Sequence, residues 1–221
     1  MITNELLYLP VSLGEAIDKL TILDIKMDKM IDNRKHDVKR EYDLLYTKLK
    51  CFIIKYETLY QTMKKINLLI WNMMDLLRDG NIDEDLYLTT CKECIEYNDI
   101  RFRVKNKINY VSNSVLKEQK NYKINRLVIL INNNNIDNLE NLLSIITYFS
   151  FIYDEITIVS DYNVDYLKQY FKCDNTIIFN STNEGLLLDY KCIVIVKENN
   201  YTKNDFYKLF NINKYNLELI I

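Results

Sequence analysis

Residues 124–135 read Ile-Asn-Arg-Leu-Val-Ile-Leu-Ile-Asn-Asn-Asn-Asn. Arg126 to Ile131 is a short, continuous apolar run, rich in β-branched residues and closed by asparagines. That is how a strand covered on both faces reads. Everything upstream reads differently. From Ser12 to about Tyr110 the apolar residues recur every three or four positions, the helical period. The chain therefore divides near residue 124, with helices before it and alternating strands and helices after it.

In the first part, Ser12-Leu-Gly-Glu15 has the S-x-x-E form of a capping box. The serine oxygen caps one end-of-helix N–H and the glutamate is expected to reach back to another. Leu13, Ile17, Leu20, Met27 and Ile31 follow at helical spacing. A second start lies near Asp32-Asn33. From it Val38, Tyr42, Leu45, Leu49, Phe52, Tyr56, Leu59, Met63, Ile66, Ile70, Met73 and Leu77 alternate by four and three, a heptad seam. One helix over 33–79 would be roughly 70 Å long; a break near Gln61–Lys65 is the alternative. Gly80 suits the left-handed end of that helix. Asp83 can cap a third helix running from Glu84 to about Asn109. An antiparallel hairpin with a shorter helix laid across it follows.

In the second part, Glu155 to Val159, Thr176 to Phe179 and Cys192 to Val196 read as strands. Asp137–Tyr148, Val164–Phe171 and Asp205–Phe210 read as helices. Alternation of this kind argues for βαβ units and a parallel sheet. The expected fold is thus α plus α/β: a long-helix hairpin or bundle over residues 1–123, then a small three-layer, Rossmann-like domain over 124–221. Ligands of such sheets bind beyond the carboxyl ends of the strands. Asp161 stands at one such end, where a carboxylate can hold a ribose or base. Asn183-Glu184-Gly185 follows the next strand, and Gly185 permits close backbone approach. Turn chemistry is the plainer reading of the same residues.

Composition excludes several functions. The 221 residues include 3 Gly, 1 Pro and 1 His against 18 Tyr, and Ala16 is the sole alanine. Heavy use of Asn, Ile, Lys and Tyr points to an A/T-rich genome. Three glycines leave no Gly-rich phosphate loop. One histidine leaves no His-based metal site and little room for a Ser-His-Asp triad. The net charge of −2 argues against a general nucleic-acid binder. Five cysteines, no leader-like N-terminus and no apolar stretch of membrane-spanning length fit reduced thiols in a cytoplasm-like compartment.

Three local features invite functional readings. Cys91-x-x-Cys94 has half-zinc-site spacing, but a zinc site needs four ligands, and both cysteines lie within a helical pattern. His36 sits among solvated charges. Residues 98–126 carry eight cations and two anions, a surplus that could hold phosphate groups or RNA. A solvated helix face and linker is the competing reading.

The first part also resembles an uncharacterised domain family of bacterial and giant-virus proteins. The resemblance rests on Val11-Ser-Leu-Gly-Glu-Ala-Ile-Asp-Lys-Leu-Thr-Ile-Leu-Asp-Ile-Lys26, on Ile70-Trp71 with Asp75 and Arg78, on Asn98-Asp-Ile-Arg101 with Lys105 and Asn109, and on Lys117-Glu-Gln-Lys-Asn-Tyr122. It covers about residues 8–123. Members tend to be encoded near, or fused to, glycan-building proteins. The resemblance implies that Glu15, Asp18, Lys19, Asn98, Asp99, Arg101 and Lys105, drawn from two segments, come together as a buried network or a site.

The second part is similar to the nucleotide-binding half of a family-2 glycosyltransferase of the GT-A fold. Val128–Asn135, Val159-Ser-Asp161, Asn183-Glu-Gly185 and Ile195-Val-Lys-Glu-Asn-Asn200 stand in the order of its ligand-binding turns. That likeness implies a nucleotide-sugar ligand near Asp161, Glu184, Gly185 and Glu198. It departs at Lys197-Glu-Asn-Asn200, which has one carboxylate where the metal-binding Asp-x-Asp has two. No cofactor motif is evident; a divalent cation would accompany a bound nucleotide-sugar. The expectation is an accessory protein of glycan synthesis, weakly catalytic or non-catalytic, that binds a nucleotide-sugar or other phosphorylated ligand. The alternatives are a structural protein forming homo-oligomers through its heptad seam and an RNA-associated protein using residues 98–126.

Overall fold

The computed structural model describes residues 8–121, 124–131, 139–160, 163–180 and 192–196. Four helices come first: α1 (Leu13–Lys29), α2 (Lys35–Lys55), α3 (Glu57–Asp79) and α4 (Glu84–Val111). The Ser12 Oγ accepts the Glu15 N–H at 3.1 Å, as the capping box predicts. The other half of the box is not made: the Glu15 carboxylate reaches across to α4 instead. Gly80 ends α3 in the left-handed region, at φ 72°. The Asp83 carboxylate accepts the Leu86 N–H at 2.8 Å to start α4. α3 and α4 form the hairpin, and α1 packs across α2, α3 and α4.

The heptad seam is carried by two helices. The break falls at Tyr56, with φ −128° and ψ 46°, rather than at 61–65. Neither Gly nor Pro causes it. The Tyr56 hydroxyl donates to the Val111 carbonyl at the end of α4, 3.1 Å away, so a tertiary contact holds the bend. Most of the seam packs within the chain. Leu49, Met63 and Ile66 are buried in one core cluster with Ile17 and Leu20 of α1 and Ile100 and Val104 of α4, and Tyr42, Leu45, Phe52, Leu59, Ile70 and Met73 pack against it. Each fully buried aliphatic side chain contributes about 1.5–3 kcal/mol.

The second part follows the expected alternation: β1 (Arg126–Ile131), α5 (Leu139–Ile152), β2 (Glu155–Ser160), α6 (Asp165–Tyr170), β3 (Ile177–Asn180) and β4 (Cys192–Val196). Among the described residues every strand pairing is parallel, and the order is β3-β2-β1-β4. Leu127 stands opposite both Ile156 and Cys192, which makes β1 central. β2 is buried from Ile156 to Ser160, as a strand covered on both faces must be. β3 lies at an edge and alternates, with Ile177 buried and Ile178 exposed. The core is continuous: Ile129, Ile146 and Phe149 belong to the same cluster as the helical residues. Among the described residues no helix is long and apolar enough to cross a membrane. The helix expected over 205–210 lies outside the described residues.

Candidate functional site

Between Ile100 and Asn109, α4 carries a cation at every second position: Arg101, Arg103, Lys105 and Lys107. At about 100° per residue, residues two apart point nearly opposite ways and residues four apart share a stripe. Arg101 and Lys105 therefore face one side of the helix, and Arg103 and Lys107 the other. The structure supplies carboxylates on both sides.

The first stripe meets α1. The Arg101 guanidinium holds Asp18 with two bonds, Nε to Oδ1 at 2.8 Å and Nη2 to Oδ2 at 2.5 Å. Asp18 is 1% exposed. Its Oδ1 also accepts from Asn67 Nδ2 at 2.8 Å, and the same amide donates to Thr21 Oγ1. The hydrogen bond to Asp18 raises the Arg101 pKa above its ordinary value. One turn on, Lys105 donates to Glu15 at 3.1 Å and pairs with Glu118 from the segment after α4. Burial works against its ammonium, but the bonds to Glu118 and Glu15 prevail and hold its pKa above the ordinary lysine value. Lys120 pairs with Asp99 at 3.2 Å and lies over the Phe102 ring.

The start of α1 is locked to the same helix. Gly14 N–H donates to Asn109 Oδ1 at 2.7 Å, and Leu13 N–H to Ser114 Oγ at 3.3 Å. With Ser12 capping Glu15, the first three N–H groups of α1 are all satisfied by side chains, two of them from the far end of α4 and its turn. Asn113, in the left-handed region at φ 51°, makes that turn.

The second stripe meets the amino edge of the sheet. Arg103 Nε donates to Asp154 Oδ1 at 2.8 Å, and Asp154 Oδ2 accepts the Asn125 N–H at 2.8 Å. Lys107 donates to both oxygens of Asp174 at 2.6 Å and to Thr176 Oγ1 at 3.2 Å. Asp154, Asn125 and Thr176 immediately precede β2, β1 and β3, so α4 ties together the starts of three strands.

Burial works to raise the Asp174 carboxyl. The Lys107 charge and the hydrogen bonds from Lys107 and Thr176 outweigh burial and hold it below the usual carboxylate range. A carboxyl depressed on folding stabilises the fold above its unfolded value, about 3.9, and the gain is lost as pH falls through the depressed value. Asp174→Asn should therefore lose less stability than the native chain between about pH 5 and about pH 2. Urea midpoints across that range measure it; equal slopes would show that Asp174 has no part in the acid limb.

Of the residues the sequence brings forward, Glu15, Asp18, Asn98, Asp99, Arg101 and Lys105 do assemble along α4. Lys19 does not: it pairs with Glu41 of α2 at 2.5 Å, both largely exposed. Asp161, Glu184, Gly185 and Glu198 lie outside the described residues. Arg103, Lys107, Asn67, Thr21 and Asn109 join the network without being marked as site residues by the sequence pattern. The alternation of cations on α4 was the signal for the first two.

The basic segment also changes meaning. Six of its eight cations, Arg101, Arg103, Lys105, Lys107, Lys120 and Arg126, are ion-paired. Five of the carboxylates, Glu15, Asp18, Asp154, Glu155 and Asp174, come from outside it. Cys91 and Cys94 are free, partly buried thiols on α4, and His36 is exposed.

Residues 7–141 match the model of a family described as a family of unknown function, DUF6165. No curated protein and no solved structure matches the chain.

Proposed function

The chain belongs to DUF6165, and we propose that this member is an accessory binding protein of glycan synthesis whose sheet takes a nucleotide-sugar or another phosphorylated small molecule. The observation that carries the reading is the strand order. From β1 the chain adds β2 and β3 on one side and then β4 on the other. At such a switch point the connections leave in opposite directions and open a crevice beyond the carboxyl ends, here those of β1 and β4, where ligands of open parallel sheets bind. The opposite edge is occupied by α4 through Arg103 and Lys107. The choice of ligand follows the expectation drawn from the strand-end segments of the sequence, which no curated protein or solved structure matches.

In this reading Asp161 holds the ribose or base. Gly185 and Glu184 shape the neighbouring turn, and Glu198 is the one carboxylate available to a divalent cation accompanying the ligand. A single carboxylate there favours binding over turnover. A cytoplasmic location agrees with the reduced-thiol composition.

Calorimetry with a panel of nucleotide-sugars, with and without Mn²⁺, tests the proposal. Binding to at least one is expected, weakened at least tenfold by Asp161→Ala. No heat across the panel at millimolar ligand would sink it. Assembly through the seam and RNA binding through residues 98–126 have less support, because most of the seam packs against α1 and α4 and most of the cations are paired within the chain.

A further inference from the structure

A cavity of about 200 Å³ opens where α4, the segment before β1 and the amino edge of the sheet meet. Phe102 and Ile124 give it apolar wall; Arg103, Asn106, Gln119 and Asn175 give it polar wall. It lies at the opposite edge of the sheet from the crevice discussed above and does not depend on that reading.

Arg103 decides what the cavity can hold. The residue is 5% exposed, yet its only hydrogen bond among the described residues is the one from Nε to Asp154. Its Nη nitrogens make no hydrogen bond among the described residues, and the residue lines the cavity. A guanidinium has five N–H donors, so those on the two Nη nitrogens remain available to a ligand. The side-chain amides of Asn106, Gln119 and Asn175 likewise make no hydrogen bond among the described residues. Arg103, Asn106 and the more exposed Gln119 and Asn175 therefore line one small space from three segments of the chain.

We propose that this cavity is a binding site for a small molecule bearing one oxyanion group, a carboxylate or a phosphate monoester, which the Nη edge of Arg103 grips through two oxygens. The planar fork of a guanidinium matches that geometry. The amides of Asn106, Gln119 and Asn175 then contact the hydroxyls or carbonyls of the ligand. The charge of the surroundings restricts the ligand further. Asp154 balances Arg103, and Asp99 balances the neighbouring Lys120. Asp154 also lines the cavity and the surroundings are close to neutral, so donor geometry rather than net charge holds the single oxyanion, and a polyanion is disfavoured. The volume falls below the ~300 Å³ at which drug-sized pockets begin, so the ligand is a small metabolite.

Thermal unfolding of the full chain tests this, with sodium phosphate and sodium succinate each compared against sodium chloride at matched ionic strength. At least one oxyanion should raise the midpoint with saturation in the millimolar range. Phosphate alone, succinate alone or both would name the group. Asn106→Asp sets a carboxylate in the cavity while leaving the Arg103–Asp154 pair intact, and should weaken the effect at least tenfold. Asp161→Ala, which belongs to the separate nucleotide-sugar proposal, should leave it unchanged. Neither oxyanion exceeding chloride, or Asn106→Asp responding like the native chain, would overturn the proposal.

Discussion

Replacing Asp18 with alanine should cost about 3 kcal/mol of stability, near the lower end of what breaking a buried ion pair costs. In a chain of this length that lowers the melting midpoint by about 6–12 °C. The loss comes from what is left behind. Arg101 loses both of its bonds to Asp18, and Asn67 loses an acceptor for its amide in a fully packed place. The Arg101 side chain is 25% exposed, so water recovers part of the loss, and the figure belongs at the lower end. Removing both charges is a different experiment. Asp18→Leu with Arg101→Met leaves no stranded ion and should recover at least half of the deficit. Equilibrium unfolding in urea distinguishes the cases. A single variant within about 0.5 kcal/mol of the native chain would show that the network does not hold α1 on α4.

Gly14→Ala is the second large effect, and its direction runs against helix propensity. Alanine in a helix is ordinarily better than glycine by about 1 kcal/mol. At Gly14, a Cβ would lie 2.5 Å from the Lys105 carbonyl oxygen and 2.9 Å from Asn109 Oδ1. The first obstacle is backbone and cannot swing aside. To admit the methyl group, α1 must lift from α4, which loosens the Gly14–Asn109 bond and the Glu15–Lys105 pair. Overpacking of this kind costs about 1–3 kcal/mol, and the rigid obstacle places this case at the top of that range. A net loss of about 2 kcal/mol should be measured by chemical denaturation. A variant as stable as the native chain would mean that the two helices can separate freely at this crossing.

The two cases show how much of the site could be read in advance. The polar residues of the first and fourth helices are visible as a motif, and six of the seven do come together. Lys19 misses because it lies one position after Asp18, about 100° around α1, and so faces α2. Gly14 stands in the sequence as part of a capping box. Its stronger role, close approach to α4, requires knowing which helix crosses there. The basic segment misleads for a related reason: a local charge count includes the cations of α4 but not the carboxylates at 15, 18, 154, 155 and 174 that fold onto them.

By itself, the sequence determined the fold class, the ends of most elements and the parallel sheet, because these follow from short-range physics. The helical period, the N-cap serine and aspartate, the left-handed Gly80 and the continuous apolar strands each act within a few residues. Only the tertiary structure decided which cations meet which carboxylates, why the seam bends at Tyr56, and that α4 is buried nearly all round from Phe102 to Asn109. The contacts of α4 with α1 and with the strand starts join groups 51 to 90 positions apart, and their energy comes from desolvation and pairing that exist only once the chain has closed around them.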